Sequence, residues 1–263
     1  MGTYGFTETE IVPFFASLTR VVGLFMVLPI FGDQAVPPLV KIFLSFTINV
    51  VVFPIAAAQG LAQASALGGT DVGIIALVIK EGAVGLTLGF VAKMFFDGLT
   101  FAFGHIGNQM GFNMASAYDH HTEANMPVIS HMIVIFATML FLALNGHHVF
   151  FKALVQSYEV VPIGGLNFTK SLISYVLETS VQVFWIAARL SAPMALMIFL
   201  INCAFGIVAK AVPQINVFVV SFTINILAGF VVLSLSLPVF GTSMGQVFQE
   251  MAASMEHLMK FFV

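Results

Sequence analysis

Charge is what this chain has least of. Its 263 residues include nine Lys and Arg and twelve Asp and Glu, only 8% of the whole, while 59% are hydrophobic. Soluble chains average about 25% charged and about 45–50% apolar residues. So few charged side chains do not cover a soluble protein of this size. The chain therefore sits in lipid, or packs against other apolar subunits over most of its surface. The formal net charge of -3 argues against a nucleic-acid partner, which calls for a basic face. Cysteine is nearly absent. Cys203 stands alone inside an apolar run, so no internal disulfide forms and cysteine usage says nothing about redox compartment. A basic leader is missing too: the N-terminus carries Glu8 and Glu10, and the first apolar run is too long for the h-region of a cleaved signal, so it reads as retained.

The motifs of common chemistry are also missing. There is no Walker A loop, no GxGxxG, no GxSxG elbow and no HExxH or CxxC pair, which leaves the sequence without support for an enzyme. Asp119, His120, His121, Glu123 and His131 cluster, and His147-His148 follows. No two His stand four apart, and adjacent His point in different directions, so solvated loop histidines are the reading. No cofactor and no metal are implied.

What is present is a series of long apolar runs at residues 11–31, 39–58, 72–103, 128–151, 172–208 and 214–240. Each reaches or exceeds the roughly 20 residues that span a bilayer. Residues 59–71 read as a loop, and residues 152–171 as a more polar stretch with a turn at Pro162-Ile163-Gly164-Gly165. Pro193 is expected to kink the fifth run. The sixth is expected to stop near Pro238 and Gly241, with an amphipathic tail beyond, where Val247, Met251, Met255, Leu258 and Met259 recur at helical spacing. The fold class is all-α: a multi-helix, membrane-associated chain of six long helices and a tail. Residues 172–240 form a self-contained helical hairpin.

Charges inside these runs need a reason. Arg20 lies near the centre of the first, where a charge costs roughly 2.5–3.5 kcal/mol on insertion scales. It lines a solute or ion pathway, or it pairs with Glu81 or Asp97. Lys93 and Asp97 stand four apart and can share one helix face. Glu178, Gln182, Trp185 and Arg189 follow at steps of four, three and four, so they also share a face. That stripe lines an aqueous pore, joins subunits, or forms an internal Glu–Arg network. Gly82, Gly85 and Gly89 lie along one side of the third run and permit close helix approach.

The interval between the third and fourth runs, Gly104 to Pro127, is neither a good spanning helix nor a good solvated loop. Met110, Phe112 and Met114 stand among glycines and small residues. Irregular backbone at membrane depth is tolerated where it lines a protein-walled cavity. Apolar side chains on a deformable backbone can close a pore by dewetting, and Met110, Phe112 and Met114 are read as such a gate.

Several stretches together resemble one family. They are Gly107-Asn108-Gln109-Met110-Gly111, Asn125-Met126-Pro127, Phe141 to His147, Val161-Pro162-Ile163-Gly164 and Pro213 to Phe218, with Arg20 in the first run and Val36-Pro37 before Lys41. In this order they look like the FliR/SctT family of type III protein export gates, over nearly the whole chain. The resemblance implies a non-enzymatic pore subunit of a flagellar or type III secretion gate in the bacterial inner membrane. It implies long kinked hairpins packed in a helical pore assembly, and passage of unfolded protein substrates. It implies FliP-type and FliQ-type subunits as partners, with FliB-type and FlhA-type export components. Residues 1–171 would resemble a P-type subunit and residues 172–263 a Q-type subunit. A plug loop would span about residues 107–118, comprising Gln109, Met110, Gly111, Phe112, Asn113, Met114, Ala117 and Tyr118. The family often carries Phe at the positions of Met114 and Ala117; here neither is Phe, and Phe112 and Tyr118 supply rings nearby. The competing reading is a stand-alone secondary transporter for a small anionic solute, with the central stretch as a broken helix and Arg20 and Arg189 holding the anion.

Overall fold

A computed structural model describes residues 8–32, 36–111, 128–167, 169–211 and 217–262. The described residues form seven helices and no strand: α1 (Glu8–Val27), α2 (Pro38–Leu67), α3 (Asp71–Gln109), α4 (Val128–Ala143), α5 (His147–Val160), α6 (Lys170–Ala211) and α7 (Val217–Met259). Five of them, α1, α2, α3, α6 and α7, are long and apolar enough to cross a membrane. The all-α, membrane-length reading holds.

Its boundaries need correction. The interval read as a loop at residues 59–71 is mostly helix, because α2 runs on to Leu67 through Leu61, Ala62, Gln63, Ala64 and Ala66, all strong helix formers. Two helices replace the fourth run. α4 ends at Ala143, Asn145 takes a positive φ of 56°, and α5 covers the end of that run and the first part of the stretch read as more polar. α5 is amphipathic rather than apolar all round, so no apolar run marks it: only Phe150, Ala153, Leu154, Ser157 and Tyr158 are buried. The expected stop near Pro238 is also wrong. α7 is continuous through Pro238 to Met259, as apolar helices tolerate proline where neighbouring groups satisfy the freed carbonyl. α6 likewise continues through Pro193.

The chain divides into two compact units. The first comprises Met1–Phe95, Asn145–Ser180 and Gln249–Val263. Glycines let α1 and α3 touch backbone to backbone within it. A Cβ on Gly85 would land on the Arg20 carbonyl oxygen, one on Gly89 would lie 2.8 Å from Leu24 O, and one on Gly23 would lie 3.0 Å from Gly82 O. α2 buries Ser45, Asn49, Val52, Phe53, Ala56, Gly60 and Ala64 along one stripe.

The end of α7 completes this unit. Met251, Met255, Leu258, Met259 and Phe262 are all essentially buried. Asn167 N donates to Phe262 O (2.9 Å), Thr169 Oγ1 donates to Phe261 O (3.0 Å), and the Phe261 ring stacks on Tyr175 with centroids 5.0 Å apart. The amphipathic tail is therefore core. Leu258→Ala is expected to cost about 2–5 kcal/mol through the cavity it leaves, read as a lowered melting temperature of the purified protein. Lys260→Ala, at an exposed neighbour, should change stability by no more than about 0.5 kcal/mol.

The second unit comprises Phe96–Leu144 and Val181–Phe248. An aromatic cluster centres it: Phe96, Phe141 and Phe248 lie pairwise with centroids 4.9–5.8 Å apart. The last turns of α3 lie on α7, with Phe103 edge-on to Phe240 at 5.8 Å.

Candidate functional site

The most elaborate polar site lies in the first unit, around Arg20. It is fully buried, and so is Glu81 on α3. The two make a bidentate pair: Arg20 Nε donates to Glu81 Oε2 (2.8 Å) and Nη2 to Oε1 (2.9 Å). This planar fork is what guanidinium and carboxylate geometry favour. The remaining donors go to the C-terminal end of α5. Nη1 donates to Ser157 O (3.0 Å), Ser157 Oγ (3.1 Å) and Val161 O (3.0 Å), and Nη2 also reaches Val161 O (3.0 Å). Helix C-termini expose unsatisfied carbonyls and carry partial negative charge, so Arg20 caps α5 from another helix. Its carbon Cζ lies 4.2 Å from the centroid of the Tyr158 ring, a cation–π contact.

The turn after α5 is bound in the same place. Gly164 N donates to Glu81 Oε1 (2.9 Å), and Lys80 Nζ donates to Gly164 O (3.2 Å). Gly164 has φ of 84°, a conformation that side chains resist. Gly165 N donates to Pro162 O (2.8 Å), closing the turn expected at 162–165. On the far side, Tyr158 Oη donates to Ser17 O (3.1 Å), Ser17 Oγ to Asn49 Oδ1 (2.9 Å) and Asn49 Nδ2 to Phe14 O (3.2 Å). One connected network thus ties α1, α2, α3, α5 and the 161–165 turn together. A buried charge is tolerated when paired and fully hydrogen-bonded, and Arg20 meets both conditions.

Of the two carboxylates offered to Arg20, the partner is Glu81. Asp97 is exposed on α3, as is Lys93. The anion site imagined at Arg20 for a transporter is closed, because all three guanidinium nitrogens are engaged. Glu178, Gln182, Trp185 and Arg189 are all exposed on α6. Tyr158, Ser157 and the two backbone groups at Val161 and Gly164 were not singled out from sequence. The signal available was the Pro162–Gly165 turn, whose role was not readable without its neighbours.

The central segment is described only at its start. Gln109 is half-buried, with Nε2 3.3 Å from His105 Nε2. Met110 is fully buried, and Gly111 ends α3 with φ of 89°. Phe112, Asn113, Met114, Ala117 and Tyr118 lie outside the described residues, as do Asp119, His120, His121 and Glu123.

Fold and site together define an all-helical chain with membrane-length helices, whose first unit holds a buried ion pair. Residues 11–251 match the family described as Bacterial export proteins, family 1, and the chain belongs to that family. It is 31% identical to the flagellar biosynthetic protein FliR of Bacillus subtilis (strain 168), over 91% of this chain and 92% of that one. It is 26% identical to the protein of the same name from Escherichia coli (strain K12), over 90% and 88%. The protein of that name from Aquifex aeolicus (strain VF5) is 22% identical over 97% of each chain.

Proposed function

We propose that this chain is a non-enzymatic pore subunit of the flagellar or related type III export gate in the bacterial inner membrane. It assembles with FliP-type and FliQ-type subunits, works with FliB-type and FlhA-type export components, and passes unfolded protein substrates. The observation that carries this reading is the family match across residues 11–251, together with relatives named as flagellar biosynthetic proteins. Residues 1–171 act as the part resembling a P-type subunit and residues 172–263 as the part resembling a Q-type subunit.

Surface chemistry supports a multi-subunit setting. In the most apolar windows of α6 and α7 only 11% of residues are buried within the chain, leaving long apolar faces for lipid or neighbours. Glu178, Gln182 and Arg189 lie exposed on α6 among Leu177, Val181 and Phe184. Ionisable groups on apolar helices face protein or water rather than lipid, so these residues, with Lys93 and Asp97, are assigned to contacts with other subunits or with the pore. The segment from Gln109 to Tyr118 is the stopper, with Met110, Phe112 and Met114 excluding ions at rest.

Two experiments test this. Expressed alone, the chain should be degraded or aggregate; expressed with FliP-type and FliQ-type subunits it should purify in one complex whose intact mass counts its copies. A stable chain working alone in vesicles would overturn the reading. In cells making the complete gate, Phe112→Gly with Met114→Gly should open an ion leak. Unchanged conductance would remove the stopper assignment.

A further inference from the structure

The first unit also carries an apolar slot that the buried ion pair does not use. Its lining comes from three membrane-length helices. Leu86 and Phe90 of α3 form one side, Ile173, Val176 and Leu177 of α6 another, and Val27 at the end of α1 adds to them. The cavity measures about 540 Å³, within the roughly 300–1,000 Å³ of small-molecule sites. It is open to its surroundings: Ile173 is 64% exposed, Leu177 63%, Leu86 47% and Phe90 46%. The one polar side chain in the lining is Thr87, whose Oγ1 donates to Ala83 O (2.7 Å). A ligand in the slot is therefore offered apolar contact and little hydrogen bonding.

Helical spacing adds a cation. Lys170, Ile173 and Leu177 follow at steps of three and four, so they share one face of α6. Lys170 is the first residue of α6 and is exposed. Among the described residues its ammonium has no hydrogen bond or ion pair. Glu178 stands one residue beyond Leu177, about 100° round the helix and off this stripe. α6 is long and apolar enough to cross a membrane. A lysine at the start of such a helix belongs at the polar boundary of the bilayer, where lipid phosphate is the nearest anion.

We infer that the slot binds one acyl chain of an anionic phospholipid, with the Lys170 ammonium holding the phosphate. Charge complementarity selects this occupant. A free anion would find Lys170 but gain nothing from the slot. An apolar helix of another subunit would cover the slot but leave Lys170 without a counter-charge. A hydrocarbon chain with an anionic head satisfies both, and it needs no hydrogen bond along the lining. The inference goes beyond the export-gate reading and does not depend on it, since it uses only the three helices and the lysine.

The test places a photoreactive benzophenone side chain at position 173 of the full chain. The chain is co-expressed with FliP-type and FliQ-type subunits, purified in detergent and illuminated with phosphatidylglycerol or phosphatidylcholine. The mass of the adducts is then read. Phosphatidylglycerol should add to this chain at about five times the yield of phosphatidylcholine, the preference one lysine gives near an anionic lipid. Lys170→Ala should abolish that preference. Val176→Trp, which fills the slot from a half-buried position, should remove the adducts of both lipids. Equal yields in the parent chain, or a preference that survives Lys170→Ala, would overturn the inference. So would an adduct to another protein chain in place of lipid, which would make the slot a subunit interface. Should Val176→Trp fail to accumulate, Val176→Phe replaces it; undiminished adducts in the variant that accumulates count against the slot. If no complex forms, the same adducts are read on the chain alone, so failure of the gate reading leaves this test intact.

Discussion

Arg20→Ala is expected to destabilise the protein by about 3–5 kcal/mol, because removing one member of a buried ion pair strands the other. Glu81 would remain fully buried with its charge uncompensated, and Val161 O would lose both of its Arg20 donors. The loss should appear as a large fall in melting temperature of the purified complex, or as failure to recover it. Arg20→Lys should rescue little. An ammonium has neither the planar fork for Glu81 nor the reach to Ser157 and Val161 at once. Arg20→Met combined with Glu81→Leu tests the physics more closely. Apolar replacement of a buried pair is often neutral, but here Gly164 N–H and Val161 C=O also depend on it. Each orphaned group costs about 1–3 kcal/mol, so the double variant should recover part of the loss and not all. Arg20→Ala within about 0.5 kcal/mol of the parent protein would show that the network contributes nothing.

Gly85→Val is the second large effect. The added carbons would land on the backbone of Arg20, with no flexible side chain to give way. α1 and α3 would have to separate, and that movement pulls Arg20 from Glu81. Steric disruption coupled to loss of a buried ion pair belongs to the tail of effects above about 4 kcal/mol. Gly82 is the internal control. It lies three residues earlier on the same helix, and a Cβ there meets nothing within 4 Å, so Gly82→Ala should be neutral or slightly stabilising, since alanine favours helix. Comparable losses at Gly82 and Gly85 in melting temperature would mean that close approach is not what Gly85 provides.

Three glycines with the same apparent sequence role thus divide on contact. The regular spacing of Gly82, Gly85 and Gly89 shows that a side of α3 is smooth. It does not show that a side chain at Gly85 or Gly89 would strike α1 while one at Gly82 would enter open space. The same division runs through the charges. Arg20 announces from sequence alone that it needs a partner, since a bare charge in an apolar helix is costly. Choosing Glu81 over Asp97 requires knowing which side of α3 meets α1.

Composition and the lengths of the apolar runs determined the all-helical, membrane-length class by themselves, because hydropathy is additive along the chain and needs no neighbours. The Pro162–Gly165 turn was equally local, set by a fixed φ and a tolerated positive one. Where α5 begins, whether α7 survives Pro238 and what buries the residues after Val247 depended on tertiary structure. Those outcomes turn on apolar faces and freed backbone groups finding partners far away in sequence. Arg20 and Val161 are 141 residues apart. No local pattern encodes a hydrogen bond across that distance; it exists only once the helices that carry both ends have packed.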